Sequence, residues 1–447
     1  MSQNRSTFSG RLGFVLAAAG SAVGLGNIWR FPYLAARYGG GIFLLTYLLL
    51  ALTFGFALMV AEVAIGRRTG RSAIGAFWTL DRRFTFLGYL VSLIPFIILP
   101  YYCVIGGWVL KYLTTYGIGQ GAALVESGYF HRFISTSGEP LLWFCLFLGF
   151  SALVVLLGVE KGIERVSRWM MPLLVVLSVL IAVYVLFLPG AGEGLRYYLM
   201  PDVSRFSYKT VLAAMGQLFY SMSLAMGIMI TFGSYMKKEV NVHTAVRQIE
   251  VFDTGIAVVA GLMVVPAVFA VSGPEGLDAG PGLMFVTLPR VFGGVFGGGI
   301  VGFVFFLLVA LAALTSAISM METMVSILQD RLAIGRRATC LLVLAVTVLL
   351  GIPSSLGNGV WSGVRLFGMT FLDFFDFVSN NLLMPVVALL TCLFVGYVLK
   401  PKSLIEEARL GRREAALFSV MIRYVAPICI LLILLTSVLG FLGILEI

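Results

Sequence analysis

The residue types that could carry chemistry are concentrated in residues 17–32, which read AAAGSAVGLGNIWRFP. This apolar segment contains three closely spaced glycines, an amide and a guanidinium: Gly20, Gly24, Gly26, Asn27 and Arg30. A small-residue face for helix packing would explain Gly20 and Gly24, but not the two polar side chains that follow them. We therefore predict a segment of unwound helix whose freed carbonyl and amide groups line a polar cavity.

A second polar interruption lies in residues 216–227, which read GQLFYSMSLAMG. Its amide and hydroxyl groups belong to Gln217, Ser221 and Ser223, in a run that is otherwise apolar. Interrupted helices at matching positions of two inverted halves are typical of a transport site at the midplane of a membrane. The two segments therefore predict one shared site, provided that they occupy matching positions in the fold.

The elements that carry these segments are predicted to be membrane helices. The chain has 447 residues, of which 60% are hydrophobic and only 12% charged, and its mean hydropathy is +1.01. A soluble globular protein has about 25% charged residues, so the composition excludes a water-soluble enzyme, a disordered chain and a nucleic-acid binder. Charged residues bound eleven long uncharged runs, at 12–29, 38–61, 84–110, 140–159, 169–192, 210–236, 254–274, 291–321, 338–364, 377–399 and 424–445. Because a helix needs about 20 residues to cross a bilayer, we predict an all-α polytopic membrane protein with eleven transmembrane helices.

The basic residues predict the orientation of these helices. Most Lys and Arg residues fall on the segments that become cytoplasmic when the amino terminus lies inside. The positive-inside rule therefore predicts a cytoplasmic amino terminus and, with eleven spans, an external carboxyl terminus in the cell (plasma) membrane. The formal net charge of +10 thus needs no nucleic-acid partner.

The first ten spans can be divided into two halves of five. An odd number of spans in each half turns the second half upside down, which gives an inverted repeat. We predict a single transmembrane domain, 1–447, with a first repeat at 1–192, a second at 206–399 and an extra helix at 415–447. Spans 1 and 6, which carry the two polar interruptions, then occupy matching first positions.

Seven motifs show a resemblance to a known family. They are Arg11-Leu12-Gly13 with residues 20–32, Gly39-Gly40-Gly41, Glu62 with Gly66-Arg67, Tyr101-Tyr102, Lys161-Gly162-Ile163-Glu164, residues 217–235, and Leu314-Thr315-Ser316. Together they resemble the neurotransmitter:sodium symporter family, especially its eleven-helix bacterial amino-acid transporters. The resemblance covers nearly the whole chain and itself implies unwound helices 1 and 6 in a five-plus-five inverted repeat.

The resemblance implies two sodium sites. The first would use the carbonyl of Ala22, the side chains of Asn27, Ser221 and Asp253, and the substrate carboxylate. The second would use the carbonyls of Gly20, Val23 and Ala312 with the hydroxyls of Thr315 and Ser316. For that hydroxyl pair an alternative interpretation is hydrogen bonding to the preceding helical turn, which is common in membrane helices.

The resemblance also implies where an amino acid would bind. Its carboxylate would contact the amides of Leu25 and Gly26 and the hydroxyl of Tyr102. Its ammonium would contact the carbonyls of Ser21 or Ala22 and the groups around Tyr220, Ser221 and Ser223. Its side chain would lie among Ile98, Met226, Ser316, Ser319 and Met320, with Tyr220 as a lid. Monoamine carriers of the family have aspartate where this chain has Gly24, so we predict a neutral, hydrophobic amino acid.

Two charge pairs are predicted to act as gates. Outside the site, Arg30 would pair with Asp376, and Asp373 on the same helical face is an alternative partner. On the cytoplasmic side, Arg5 would pair with Asp330, and both could instead be solvated boundary charges. Phe8 stands where the family commonly has Trp, which could loosen this gate. For Glu62 the sequence favours a structural role, satisfying the broken backbone of helix one.

The predicted function is sodium-coupled symport of an amino acid into the cell by alternating access. The expected partners are the amino acid, sodium ions and the lipid bilayer, without an obligate protein partner. Chloride is not expected, because Asp253 and Ala257 stand where animal members have Asn and Ser. That interpretation competes with a helix-capping role for Asp253. An amino-acid sensor or a channel on the same fold is the alternative function. An intramembrane enzyme is disfavoured, because His131 and His243 lie near loops without paired ligands.

Overall fold

The structure, a computed structural model, describes residues 7–273, 282–332 and 334–441. Within those ranges the chain is helical apart from turns and two isolated β-bridges, so the all-α prediction is confirmed. The helices in chain order are α1 (Arg11–Ala22), α2 (Gly26–Arg37), α3 (Gly41–Thr69), α4 (Ala73–Leu80), α5 (Arg82–Gly117), α6 (Tyr129–Ser135), α7 (Gly138–Leu156), α8 (Val159–Leu186), α9 (Ala191–Leu199), α10 (Tyr208–Ser221), α11 (Ile228–Ser234), α12 (Val242–Ser272), α13 (Leu283–Gly293), α14 (Gly298–Leu332), α15 (Arg336–Leu356), α16 (Phe371–Leu399), α17 (Pro401–Ala408) and α18 (Arg412–Phe441). Short 3-10 turns lie at Gly121–Val125 and Val203–Arg205.

The helices long enough to cross a membrane agree with a polytopic protein. Nine described helices are long and apolar enough: α3, α5, α7, α8, α12, α14, α15, α16 and α18. Helices α1 and α2 make a tenth if the bent pair is one span. The uncharged run at 210–236 is divided between α10 and α11, each too short to cross alone at about 1.5 Å per residue. The total of eleven spans and the inverted repeat therefore stay predictions.

Both predicted interruptions are breaks in helical structure. Helices α1 and α2 meet at an angle of 54°, and Val23 at the end of α1 is extended rather than helical. The break between α10 and α11 contains Ser223, Ala225 and Gly227 at positive φ, of 53°, 65° and 75°. A non-glycine residue in this region costs about 1–2 kcal/mol, so the surrounding structure must stabilise Ser223 and Ala225.

Close helix packing holds the broken segments in place. Helix α1 lies among α8, α12 and α14, and α11 packs along α3. At the contact between α11 and α3, a Cβ atom on Gly66 would meet the carbonyl of Ile230, and one on Gly233 would meet the backbone of Val63. Glycine at both positions therefore lets the two backbones touch, which fixes the short helix α11 against a long one.

Candidate functional site

The two helix breaks meet at the centre of the protein. The hydroxyl of Ser223 donates to the carbonyl oxygen of Ser21 across 3.0 Å, and the Ser21 hydroxyl donates to the Ser223 hydroxyl across 3.3 Å. Both side chains are buried. The sequence segments 17–32 and 216–227 therefore form one site, as their polar residues predict.

A small cavity of about 30 Å³ lies between the breaks and helices α5 and α14. It is lined by Ser21, Ala22, Gly24, Leu25, Gly26, Asn27, Ile98, Tyr102, Tyr220, Ser223, Met226, Ile228, Ser316 and Met320. Of the predicted substrate contacts, only Ser221 and Ser319 are not among these lining residues. Ile228 was missed by the sequence analysis, because nothing in a run of apolar residues distinguishes the side chain that faces a cavity.

The two serines outside the lining have other partners. Ser319 donates its hydroxyl to the carbonyl of Thr315, one helical turn earlier, across 2.9 Å. This is the ordinary bond of a serine inside a membrane helix, so Ser319 does not present its hydroxyl to the cavity. Ser221 belongs instead to a polar cluster around Asp253.

One end of the cavity carries the groups predicted to bind a carboxylate. The backbone N–H of Leu25 points to the hydroxyl of Tyr102 at 3.5 Å. Gly26 begins helix α2, and a Cβ atom there would collide with the ring of Tyr220. Backbone amides at a helix amino terminus and a tyrosine hydroxyl are suitable donors for an anionic oxygen.

Asp253 is the centre of a buried cluster made of neutral donors. Asn27 donates to its Oδ1 atom across 2.8 Å, and the Ser221 hydroxyl lies 2.9 Å from both carboxylate oxygens. Tyr47 reaches Ser221 at 3.2 Å and Asp253 at 3.5 Å. All four side chains are buried. Within the described ranges Asp253 forms no ion pair, so this carboxylate has hydrogen bonds but no cationic side chain to balance its charge.

The predicted residues of the second sodium site also come together. The Ser316 hydroxyl lies 3.5 Å from the carbonyl oxygens of both Gly20 and Val23, and donates to Ser21 across 2.9 Å. The Thr315 hydroxyl donates to the carbonyl of Ala312 across 3.0 Å. This bond to the preceding helical turn is the one that the alternative interpretation expects. It nevertheless places the Thr315 hydroxyl next to the Ala312 carbonyl, and both are predicted sodium ligands.

Two further polar residues hold the broken backbone. Gln217 donates from Nε2 to the carbonyl of Gly26 across 2.9 Å. Glu62 accepts a hydrogen bond of 2.6 Å from the backbone N–H of Ala225. The structural role predicted for Glu62 is therefore correct, but the helix was wrong: it satisfies the break between α10 and α11, because the positive φ of Ala225 frees that N–H from helical bonding.

The predicted outer gate is not closed by a direct ion pair in this structure. The guanidinium carbon of Arg30 lies 5.2 Å from the centre of the Tyr220 ring. Asp376 accepts hydrogen bonds from Asn380 at 2.6 Å and Tyr101 at 3.2 Å. Both Arg30 and Asp376 lie within the described ranges, yet no ion pair of 4.0 Å or less joins them. The alternative acid, Asp373, accepts a bond from Thr370 at the start of α16.

Only half of the predicted inner gate can be described, because Arg5 lies outside the described residues. Asp330 accepts hydrogen bonds from the backbone N–H and the hydroxyl of Ser72, at 2.9 and 2.5 Å. Phe8 is buried, and its ring packs edge-on against Phe14, Phe232 and Tyr235. The effect of phenylalanine in place of tryptophan on this gate stays a prediction.

Comparisons with known proteins agree with this geometry. Residues 5–117 and 127–444 match the Sodium:neurotransmitter symporter family. A sodium-dependent transporter of Bacillus subtilis (strain 168), YhdH, is 36% identical over 96% of this chain and 97% of its own. A sodium-dependent transporter of Haemophilus influenzae is 34% identical over 97% of this chain and 98% of its own. The crystal structure of MhsT in complex with L-phenylalanine superposes with a TM-score of 0.89 at 39% identity, covering 97% of this chain and all of that one.

These matches extend over the whole membrane region rather than over one motif. The family and these relatives are transporters, so an intramembrane enzyme is excluded, and the resemblance seen in the sequence motifs is confirmed. The chain therefore belongs to the sodium:neurotransmitter symporter family.

Proposed function

We propose that this protein carries a neutral, hydrophobic amino acid into the cell together with sodium ions, by alternating access. The observation that carries the proposal is the environment of the Asp253 carboxylate. This carboxylate is buried, its hydrogen-bond donors among the described residues are neutral, and it is adjacent to Asn27, which also lines the cavity. A buried charge is costly unless it is paired. A sodium ion beside Asp253 would supply that pairing and would couple to a bound substrate.

Two sodium ions fit the donors that lie around the break in α1. Sodium prefers hard oxygen ligands, and broken helices offer carbonyl groups that are not used in helical bonds. Ala22, Asn27, Ser221 and Asp253 would bind the first ion together with the substrate carboxylate. The second would be held by the five groups Gly20, Val23, Ala312, Thr315 and Ser316. No step of this proposal requires covalent chemistry.

The shape of the cavity supports a zwitterionic, apolar substrate. A Cβ atom on Gly24 would lie 2.7 Å from the Ser316 hydroxyl and 3.1 Å from the Tyr102 hydroxyl. An aspartate at this position would therefore have to displace the Ser316 hydroxyl, which disfavours the anion that would bind a lone amine. The remaining walls are apolar at Ile98 and Met320, and the similar protein MhsT has been crystallised with L-phenylalanine.

The size of the cavity indicates that binding requires movement. A volume of about 30 Å³ is enough for about two water molecules. An amino acid as large as phenylalanine therefore enters only if Tyr220 or the methionine side chains move apart. Opening and closing of this kind is what alternating access requires. A flexible methionine such as Met226 suits such a wall.

Chloride independence follows from the same carboxylate. In the proposal Asp253 supplies permanently the negative charge that two sodium ions need in a low-dielectric site. Ala257 is buried and has no hydroxyl that could bind a chloride ion.

We further propose that the two five-helix repeats, 1–192 and 206–399, are inverted around this site. The amino terminus would lie in the cytoplasm, and residues 415–447 would form an additional helix.

Uptake of radiolabelled phenylalanine into proteoliposomes, with a panel of unlabelled amino acids as competitors, tests the function. We expect uptake that requires an inward sodium gradient and is inhibited most by hydrophobic amino acids. Uptake that is unchanged when choline replaces sodium would contradict the symport proposal. Sodium-dependent binding without any uptake would indicate an amino-acid sensor instead.

A further inference from the structure

A second pocket shares no lining residue with the substrate cavity. Its volume is about 200 Å³, and helix α4, the start of α5 and the end of α14 form its walls. Its charged and aromatic lining residues are Arg71, Trp78, Asp330 and Arg331. We call it the arginine pocket. The distribution of basic residues predicts that the pocket lies at the cytoplasmic face.

Three guanidinium groups of this region stack on aromatic rings rather than pairing with acids. Arg71 and Arg82 lie over the ring of Trp78, at 6.0 and 4.8 Å, and Arg331 lies over Tyr89 at 5.8 Å. In the described part of the chain none of the three makes an ion pair. Stacking on a ring orients a guanidinium and leaves its N–H edge available for an anion.

Asp330 is the acid that lines the arginine pocket. Asp330 is bound by the backbone and hydroxyl of Ser72, at 2.9 and 2.5 Å. Asp81, between α4 and α5, pairs with Arg83 across 2.8 Å. The pocket lining therefore holds two guanidinium groups, those of Arg71 and Arg331, and one carboxylate, that of Asp330. The guanidinium of Arg82 also lies over the Trp78 ring, so the described residues give this region a net positive charge.

An apolar stripe continues from the arginine pocket along the membrane. Phe86, Tyr89 and Leu93 are spaced three and four residues apart on α5, so they share one face of the helix. Their side chains are 49%, 45% and 47% exposed. Because α5 is one of the helices that can cross a membrane, we expect this exposed face to contact acyl chains. Tyr and Trp side chains are enriched at the level of lipid headgroups.

We infer that the arginine pocket binds the phosphate group of an anionic phospholipid. Arg71 and Arg331 donate to the phosphate oxygens, Trp78 lies at headgroup level, and an acyl chain lies along Phe86, Tyr89 and Leu93. Guanidinium groups suit phosphate because they can donate two parallel hydrogen bonds. Basic pockets between membrane helices are typical binding places for lipid headgroups. The adjoining apolar stripe favours a lipid over a free phosphate.

Native mass spectrometry of the purified full-length protein tests this inference. The protein is mixed with phosphatidylglycerol or phosphatidylcholine, and the retained lipid is counted for wild type and for the double variant Arg71→Gln/Arg331→Gln. Wild type is expected to prefer phosphatidylglycerol, and the variant to lose that preference on the order of tenfold. The matched control is Arg412→Gln/Arg413→Gln, which removes the same charge from two exposed arginines at the same predicted face and should keep the preference.

Three results would overturn the inference. They are an unchanged preference in Arg71→Gln/Arg331→Gln, an equal loss in the control variant, and displacement of the lipid by glycerol 3-phosphate as efficiently as by phosphatidylglycerol. The last would identify a free-phosphate site. Sodium-dependent amino-acid binding checks that each variant is folded. If the glutamine variant does not fold, Arg71→Lys/Arg331→Lys keeps the charge but removes bidentate donation, and it should lose part of the preference.

Discussion

Asn27 donates a hydrogen bond from its amide nitrogen to the Oδ1 atom of Asp253 across 2.8 Å, although 226 positions separate the two residues. The same amide nitrogen lies 3.0 Å from the Ser221 hydroxyl, and the amide oxygen of Asn27 accepts from the N–H of Gly24 across 3.2 Å. One side chain therefore connects the substrate cavity, the break in α1 and the buried carboxylate on α12. A substitution of Asp253 should therefore change the affinity for the substrate.

The first prediction concerns coupling between sodium and substrate. Asn27→Ala should weaken the binding of both, because Asn27 is a proposed ligand of the sodium ion that also binds the substrate carboxylate, and weaker sodium binding lowers the substrate affinity coupled to it. A lost hydrogen bond to a charged group is worth about 1.5–3 kcal/mol, so each affinity should fall by roughly ten- to a hundredfold. Binding of radiolabelled phenylalanine, titrated with sodium, measures both affinities.

Ser319→Ala is the control for this prediction. Its hydroxyl is bonded to Thr315 within the helix, so its removal should leave sodium and substrate binding nearly unchanged. Ser316→Ala, by contrast, should weaken sodium binding, since that hydroxyl contacts the carbonyls of the α1 break. Equal effects of the two serine substitutions would show that Ser316 is not a sodium ligand.

The second prediction concerns substrate selectivity at Met320 and Gly24. Met320→Ala enlarges the cavity and should shift the preference among Ala, Leu, Phe and Trp towards the larger side chains. An unchanged ranking would mean that Met320 does not determine specificity. Gly24→Asp should abolish amino-acid binding through both bulk and charge. Gly24→Ala separates the two effects, because it adds only the atom that approaches the Ser316 hydroxyl.

The third prediction concerns chloride. Uptake by the wild type should persist when gluconate replaces chloride, since Asp253 supplies the negative charge. Asp253→Asn combined with Ala257→Ser should either abolish uptake or make it require chloride, and Asp253→Asn alone should abolish it. Transport assays in chloride and in gluconate distinguish these outcomes. A wild type that already needs chloride would show that the role assigned to Asp253 is wrong.

The fourth prediction concerns stability and pH at helix α17. Glu407 pairs with Arg67 at 2.7 Å and with Lys238 at 3.1 Å. Burial alone would raise the pKa of Glu407, but hydrogen bonds from Arg67 and Lys238 outweigh it, so the pKa lies below that of an ordinary glutamate. The stabilisation is therefore complete above the unfolded-state pKa of about 4.3 and is lost as the pH falls through the folded-state value.

Glu407→Gln should lower the free energy of unfolding at neutral pH by about 3 kcal/mol, because it leaves the buried guanidinium of Arg67 without a carboxylate. The difference from wild type should shrink as the medium is acidified. Glu406→Gln is the matched control, since Glu406 is exposed and lies 4.0 Å from Lys402. Thermal unfolding of the three proteins at several pH values measures the effect. A destabilisation by Glu407→Gln that is equal at all pH values would contradict it.

Local composition and spacing determined much of this protein. The uncharged runs predicted the long helices, since only apolar segments of sufficient length are stable in a bilayer. Clustered glycines beside Asn27 predicted the break at α1, and Ser221 and Ser223 predicted the second break. These features depend on neighbouring residues alone, so they can be read without knowledge of the packing.

The tertiary structure decided which distant groups meet. Glu62 binds Ala225 rather than helix one, Arg30 lies over Tyr220, and Asp376 is bound by Tyr101 and Asn380. Packing also places Ile228 in the cavity wall, whereas the Ser319 hydroxyl bonds to the carbonyl of Thr315 and does not line the cavity. Such choices depend on the rotation of each helix and on the few ångströms between packed side chains. Residues one turn apart on the same apolar helix look alike in sequence, and only packing distinguishes them.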